Sequence, residues 1–388
     1  MSWEKVRLSE ICEINIGKTP SRNISSYWGG NNKWISISDL KGKRYVEDTK
    51  ENISEKAVKE SGIKAIPPNT LLYSFKLSIG KIAITKDYIY SNEAIASLPI
   101  LDKTKVSLDY LYWAMQTLQL DSVGDKAVMG VTLNKAKLKN LEIPLPPLPI
   151  QEKIAAILDK ADALRRKDQE LLKKYDELAQ AIFIDMFGDP VKNENGWEVK
   201  RLSELGTVVT GNTPPRANDK NYGDYIEWIK TDNILLEKVY PVKAKEYLSE
   251  SGSKLGRIVS SNSILVTCIA GSKKSIGNCC LTDRTVAFNQ QINAFKNFDQ
   301  FYKPTFLYRL FKEYQSYIQN SATDGMKKII TKSEFEKLAF IVPSLDLQET
   351  FAKKIELIHQ LKAQANAVKS EELFQSLLQR AFKGELVR

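Results

Sequence analysis

The residues with chemical potential in this 388-residue chain are suited to gripping a polyanion rather than to breaking bonds. Gly17-Lys18-Thr19-Pro20-Ser21-Arg22 and Gly211-Asn212-Thr213-Pro214-Pro215-Arg216 each put a glycine, a proline, a hydroxyl and an arginine into one turn. Backbone amides, hydroxyls and a guanidinium held together can take phosphate oxygens or base edges; the same composition can also simply close a strand. Lys18, Thr19, Ser21, Arg22, Asn212, Thr213 and Arg216 are therefore candidate contacts. Lys76 and Lys81 in FKLSIGK, and Lys273 and Lys274 in AGSKKSIG, stand beside Ser and Gly ahead of a strand, placed for phosphates or as ordinary surface lysines. Asn134 and Lys135, like Lys327 and Lys328, lie in polar lysine-rich stretches before a linker and either line the same groove or cap a helix. SISDL (Ser36, Ser38) and KTDNI (Lys230, Thr231, Asn233) offer different hydrogen-bonding sets at matching places.

Catalytic patterns are thin. AGSKKS from Ala270 lacks the first glycine and the spacing of a phosphate-cradling loop, and no G-x-G-x-x-G follows a strand. Asn212-Thr213-Pro214-Pro215 departs from the N/D-P-P-aromatic base-methylation motif, because Thr intervenes and Arg216 follows. His359 is the single histidine, which closes off His-based metal sites and triads. Asp39 and Asp232, near strand ends, fit caps or turns. Cys12, Cys268, Cys279 and Cys280 show no C-x-x-C spacing, and reduced thiols in a cytoplasmic protein are expected. ILVTCIA from Ile264 is far below membrane-spanning length, and MSWEKVRL lacks an apolar signal region, so neither a membrane nor secretion is expected. The net charge of +10 invites a polyanionic partner. Stretch 150–187 carries seven basic against eight acidic residues, so the excess lies outside it.

The elements that must position these loops come in two copies, offset by about 194 residues. WEKVRLSEI from Trp3 answers WEVKRLSEL from Trp197. Tyr27-Trp28-Gly29 answers Asn221-Tyr222-Gly223, and KWISISDL answers EWIKTDNI. Ile79-Gly80 matches Ile276-Gly277, Asn92 matches Asn289, and Gln151-Glu152 matches Gln348-Glu349. Each copy begins with short β-rich segments, in the first WISIS, TLLYSF, GKIAITK and EAIASLPI. One amphipathic helix follows near its end, DYLYWAMQTLQL from Asp109 or PTFLYRLFKEYQSYIQ from Pro304. These parts are expected to be α+β domains with mostly antiparallel sheets.

Each copy closes on a long helix. From Gln151 to Phe187 there is no Pro or Gly, with Pro149 before and Gly188 after as start and stop signals. Ile150, Ile154, Ile157, Ala161, Leu164, Asp168, Leu171, Tyr175, Leu178, Ile182 and Asp185 alternate steps of four and three, a coiled-coil seam on a rod of roughly 55 Å. Asp168 interrupts the stripe, as a register-setting or a surface residue. A second, less regular stripe runs from Gln348 to about Phe382, and the two helices are expected to pair antiparallel. The expected division is 1–149 and 188–346 for the globular domains, and 150–187 and 347–388 for the helical regions.

W-E-x-x-x-L-S-E, G-x-T-P, the Ile-Gly strand, the linker PLPPLPIQEKI and the terminal LLQRAFKGEL together closely resemble the specificity subunits of Type I restriction-modification enzymes, over essentially the whole chain. The resemblance implies two target-recognition domains, separated by two helical regions, that read a bipartite asymmetric sequence in double-stranded DNA. It implies two methyltransferase (modification) subunits as partners, then the translocating restriction subunits. S-adenosylmethionine, ATP and Mg would act on those partners, and no cofactor is expected on this chain. Thr19, Arg22, Thr213 and Arg216 are the DNA contacts it suggests on the G-x-T-P loops. PSLDLQE has lost most of the prolines of the first linker, which puts the rigidity of that junction in doubt. If the rods act as a ruler, the half-sites should stand about one turn of B-DNA apart or somewhat more. Two other readings remain: a self-contained restriction or methylation enzyme, for which the repeats leave no room, and a helical scaffold that binds no DNA.

Overall fold

The computed structural model describes residues 3–118, 125–127, 130–323, 328–365 and 367–387. It divides into two compact units, Met1–Glu170 with Asn366–Arg388, and Leu171–Ala365.

In the first unit the strands of the two larger sheets are β1 (Asn15–Ile16), β2 (Trp28–Ile35), β3 (Tyr45–Val46), β4 (Glu51–Ile53), β5 (Leu71–Ser74), β6 (Ile82–Thr85), β7 (Tyr90–Ser91) and β8 (Ile95–Leu98). They form sheets of order β1-β8-β5-β6-β3 and β4-β2-β7. Only the β3–β6 and β2–β7 pairs are parallel among them. Every residue of β5, β6 and β8 is buried, because this sheet has a core on each face. Leu71, Tyr73, Ile82, Ile84, Ala96 and Leu98 face a helical layer, while Leu72, Ala83 and Ile95 face Ile35, Leu40, Ile66 and Ile89. That alternation is the period of two that a pleated strand imposes. The helical layer includes α1 (Leu108–Gln116), whose N-cap Ser107 side chain accepts the Tyr110 amide.

The second unit repeats the plan. The strands of its two larger sheets are β9 (Thr207–Thr210), β10 (Tyr222–Gly223), β11 (Ile226–Ile229), β12 (Tyr247–Leu248), β13 (Ile258–Val259), β14 (Ile264–Thr267), β15 (Cys279–Leu281), β16 (Val286–Phe288) and β17 (Ile292–Lys296). The sheet orders are β9-β17-β14-β15 and β10-β12-β11-β16-β13. Ile264, Val266, Leu281 and Phe295 turn to the helices, and Leu265, Cys280 and Ala294 turn away.

The long helix α2 spans Leu148–Phe187 and stops at Gly188, whose φ of +76° suits glycine at a helix C-terminus. Its start is pinned by Gln151, fully buried. The Gln151 amide nitrogen donates to Lys105 O and Pro146 O at 2.8 and 2.7 Å, and its oxygen accepts the Ser107 amide at 2.9 Å. Gln348 repeats this with Phe301 O, Pro343 O and the Lys303 amide. In the first unit α2 buries Ile154, Leu158 and Ala161; in the second it buries Ala179, Phe183 and Phe187. Leu164 and Leu178, expected in the seam, are 47% and 45% exposed. Each end of α2 is turned toward a globular core, and a 3.6-residue helix drifts by about 20° per heptad from a strict stripe.

The distal helix, expected to run unbroken, is two: α4 (Leu345–Gln364) and α5 (Ala367–Phe382), numbered after α3 (Pro304–Glu313). The Ala365 amide is shared between Leu361 O and Lys362 O, a tightened last turn. Neither Gln364 nor Val368, which is 72% exposed, offers an apolar anchor to carry the helix across. The helix expected from Pro304 likewise breaks at Tyr314, whose hydroxyl is drawn to Pro190 O at 2.8 Å. In the first unit α2 meets α5 through Arg165 and Glu371, 3.1 Å apart. In the second it meets α4 through Asp176–Lys362 and Phe183–Phe351, so the chain numbers run in opposite senses and that pair is antiparallel.

Candidate nucleic-acid interface

The two G-x-T-P loops leave β1 and β9 and press against the turns before β8 and β17. A Cβ on Gly17 would stand 2.2 Å from Ser91 Oγ and 2.3 Å from Asn92 O, and one on Gly211 would stand 2.1 Å from Asn289 O. Only glycine admits so close a pass. The loops are sewn in place identically. Lys18 N donates to Ser91 O and Asn212 N to Phe288 O, while the Trp34 and Trp228 indoles donate to Lys18 O and Asn212 O at 3.2 and 3.3 Å.

From this anchor each arginine lies back over two aromatic rings. Arg22 sits 3.6 Å from the Trp28 ring centre and 5.1 Å from that of Trp34; Arg216 sits 4.5 Å from Tyr222 and 4.9 Å from Trp228. A carboxylate holds each guanidinium: Glu51 accepts both terminal nitrogens of Arg22, and Glu246 takes Arg216 at 2.7 Å and Lys230 as well. The Arg22 hydrogen bond holds the Glu51 carboxyl below its ordinary range. Lys230 first, and then Arg216, do the same to Glu246. Cation–π contact and ion pair together fix a flat donor set at the surface.

The other candidates are distributed around these arginines. Thr19 donates to the Glu93 carboxylate and Thr213 to the Gln290 side-chain oxygen. Lys18 reaches Ser61 O at 2.6 Å, and Asn212 spans Leu255 O and the Arg257 amide. Ser21 is exposed. Ser36 and Ser38 hydroxyls lie 2.9 Å apart, with Ser36 bonded to Asp39 in a capping box. At the matching turn around Thr231 only half of that box remains, with the Lys230 amide donating to the Asn233 side-chain oxygen at 2.9 Å. Lys81 approaches Ile37 O at 3.5 Å, joining the Ser36–Ser38 turn to the loop after β5. Glu93, lowered first by Thr19, also lies in the field of Lys76 and Arg22. Thus the first copy gathers Thr19, Arg22, Ser36, Ser38, Lys76 and Lys81 on one neighbourhood.

In the second unit Lys273 and Lys274 occupy the turn Lys273–Ser275. Strand Ile269–Ala270 before it pairs with Lys328–Ile329, so Lys328 flanks that turn; Lys327 lies outside the described residues. Asn134 caps the helix Lys135–Lys139 by accepting the Lys137 amide at 2.9 Å. Lys135 lines a cleft with Gly17, Lys18, Gly62 and Ser91.

The aromatic beds and the acidic partners are not among the residues expected from the sequence. The beds had a signal, since Arg22, Trp28 and Trp34, like Arg216, Tyr222 and Trp228, are spaced by six. Glu51 and Glu246 had none, because only strand pairing brings them to the loop. Among the described residues no group of three His, Cys, Asp or Glu is placed to hold a metal ion, and no helix is long and apolar enough to cross a membrane. All four cysteines are buried and unpaired, and burial pushes the Cys12 thiol up to about 12.

Residues 1–174 and 194–373 both match the family described as the Type I restriction modification DNA specificity domain. The Type I restriction enzyme MjaIX specificity subunit of Methanocaldococcus jannaschii is 31% identical over 274 residues, 65% of this chain and 62% of that protein. The chain thus matches somewhat under two thirds of that relative's length. Among solved structures, the S subunit of a Type I restriction-modification system from M. genitalium superposes with TM-score 0.57 at 14% identity, covering 98% of this chain and 96% of that one. A chain from a structure concerned with complex assembly and conformational transition of the Type I R-M system gives 0.58 at 18% identity, covering 99% and 98%.

Proposed function

The chain belongs to the Type I restriction modification DNA specificity family, and we propose that it is the subunit that reads DNA for such a system, without catalysis of its own. Each recognition domain, 1–149 and 188–346, takes one half of a split target. The helical regions, 150–187 and 347–388, set the spacing and dock two methyltransferase subunits, to which the restriction and translocase subunits are added. S-adenosylmethionine, ATP and Mg serve those partners.

The observation that carries this reading is that the family match occurs twice, once over each copy of the repeat. The geometry of the loops supports a division of labour. The features common to both copies, Arg22 on Trp28 with Glu51 and Arg216 on Tyr222 with Glu246, suit sequence-independent phosphate contact. The features that differ at matching positions suit readout of two different half-sites: Ser36 against Lys230, Asp39 against Asn233, and Glu93 against Gln290. Methylation inside a duplex by the partner subunits would require the target base to be flipped out.

The test is to reconstitute the chain with its methyltransferase subunits and methylate a random DNA library. Adenine methylation at one split motif is expected. Methylation by the chain alone would favour a self-contained enzyme, and the absence of any DNA binding or DNA preference would favour a scaffold.

A further inference from the structure

Five non-glycine residues among those described have positive φ, and four are Asn: Asn69, Asn193, Asn262 and Asn297. Asparagine tolerates that region because its short polar side chain can bond locally. The fifth is Leu77, at φ +62°, where a branched apolar side chain has no such relief. Leu77 is also 91% exposed, more than any other large apolar side chain described. A strained backbone that displays a leucine to solvent gains nothing for the fold, and such outliers point to function.

The loop beneath it is firmly built. Fully buried Ser74 donates its hydroxyl to Ser78 O at 2.6 Å and accepts the Lys81 amide at 2.9 Å. Gly80 N returns to Ser74 O, Phe75 N is bonded to Ala94 O, and the Phe75 side chain is 2% exposed. Leu77 therefore stands at a fixed tip with Lys76 before it and Lys81 at its foot, in the neighbourhood of Thr19 and Arg22 already described. The counterpart loop in the second unit carries Gly271, Ser272, Lys273 and Lys274, all exposed. The tip is apolar in one copy and cationic in the other.

On the reading that this chain binds DNA, we infer that Leu77 enters a groove of the first half-site and makes an apolar contact with a base, while Lys76 and Lys81 meet the flanking phosphates. Thymine methyl groups and the faces of an opened base step are the apolar surfaces that DNA offers to such a side chain. A protein partner is the poorer fit, since protein interfaces deplete lysine and Leu77 is the one exposed apolar side chain between Lys76 and Lys81, Ile79 being packed against the core.

The test uses the complex reconstituted with methyltransferase subunits, once its split motif is known. Leu77→Ala should weaken binding to the motif by about tenfold or more, leave binding to random DNA and assembly unchanged, and relax methylation at one or two positions of the first half-site only. Leu77→Gly should weaken motif binding equally yet raise the melting temperature, because it relieves the positive φ. Replacing thymine by uracil through the half-site, with 2-aminopurine reporting unstacking, distinguishes a methyl contact from an inserted wedge; either supports the inference. Wild-type affinity and motif in Leu77→Ala would overturn it, and so would loss of subunit assembly, which would make Leu77 a protein contact. If the wild-type complex shows no split motif, the parent reading falls instead.

Discussion

The guanidinium of Arg22 lies 3.6 Å from the centre of the Trp28 ring, and Arg216 repeats that relation on Tyr222 at 4.5 Å. Because both copies keep it, a role in choosing bases is the less economical reading; a phosphate contact common to both half-sites is better suited. Arg22→Ala and Arg216→Ala should each weaken binding to motif and random DNA alike, and reduce the slope of log affinity against log salt by about one. The motif read from library methylation should not change. Glu51→Gln and Glu246→Gln, which free the guanidinium, should move the salt slope the other way. Fluorescence titration over a salt series checks both signs, and an altered motif in Arg22→Ala would count against a phosphate role.

The close approach of Gly17 to Ser91 and of Gly211 to Asn289 makes these glycines steric necessities. Gly17→Ala must push the loop off the strand end, breaking the Lys18 N to Ser91 O bond and shifting the Trp34 indole from Lys18 O. A loss of about 1–3 kcal/mol in stability is expected, read by denaturant unfolding. The Gly211→Ala loss should be at least as large, since the obstacle is backbone carbonyl alone and cannot rotate away. Equal stability of Gly17→Ala and the parent would show that the loop relaxes freely.

The sequence made the repeat plain because a duplicated plan leaves paired landmarks, and Gln151 and Gln348 hold the same three bonds at the atomic level. Strands such as Leu71–Ser74 were visible from their β-rich composition, but not that both faces would be buried, which depends on a second core built by residues far along the chain. The long helix was visible, and its buried stripe was only partly so. Periodicity names an apolar face, whereas burial is decided by what lies opposite, and Leu164 and Leu178 remain exposed. The break after Gln364 had a faint signal in the irregular stripe. The loops carrying Arg22 and Arg216 could be located from G-x-T-P, but their carboxylate partners could not, since Glu51 and Glu246 arrive through strand pairing.

Glu227 provides a pH test of the second unit. Burial by itself raises its pKa, but hydrogen bonds from Arg284 and the Ala244 amide outweigh burial and hold the carboxyl below its ordinary value. A carboxyl depressed in the folded state stabilises above its unfolded pKa of about 4.3, and that contribution is lost as pH falls through the lower folded value. Glu227→Gln should therefore melt below the parent at neutral pH, with the gap closing as the solution is acidified below pH ~4. A constant gap across the range would mean that the ion pair with Arg284 contributes little and that shape alone matters.

If the helical regions set the gap between half-sites, their length should be legible in the DNA. The ion pairs Arg165–Glu371 and Asp176–Lys362 mark places where α2 is tied to α5 and to α4, so a deletion should spare all four residues. Removing seven residues within 166–175 shortens α2 by about 10.5 Å and turns its flanking faces by only about 20°, and seven removed within 363–370, across the break between α4 and α5, match it on the distal side. At about 3.4 Å per base pair, the split motif should lose roughly three base pairs of its gap while both half-sites keep their sequences. Library methylation by the reconstituted complex reads the gap directly. An unchanged gap with normal methylation would remove the helices from any role in spacing, and a changed half-site sequence would mean that the deletion had disturbed the recognition domains themselves.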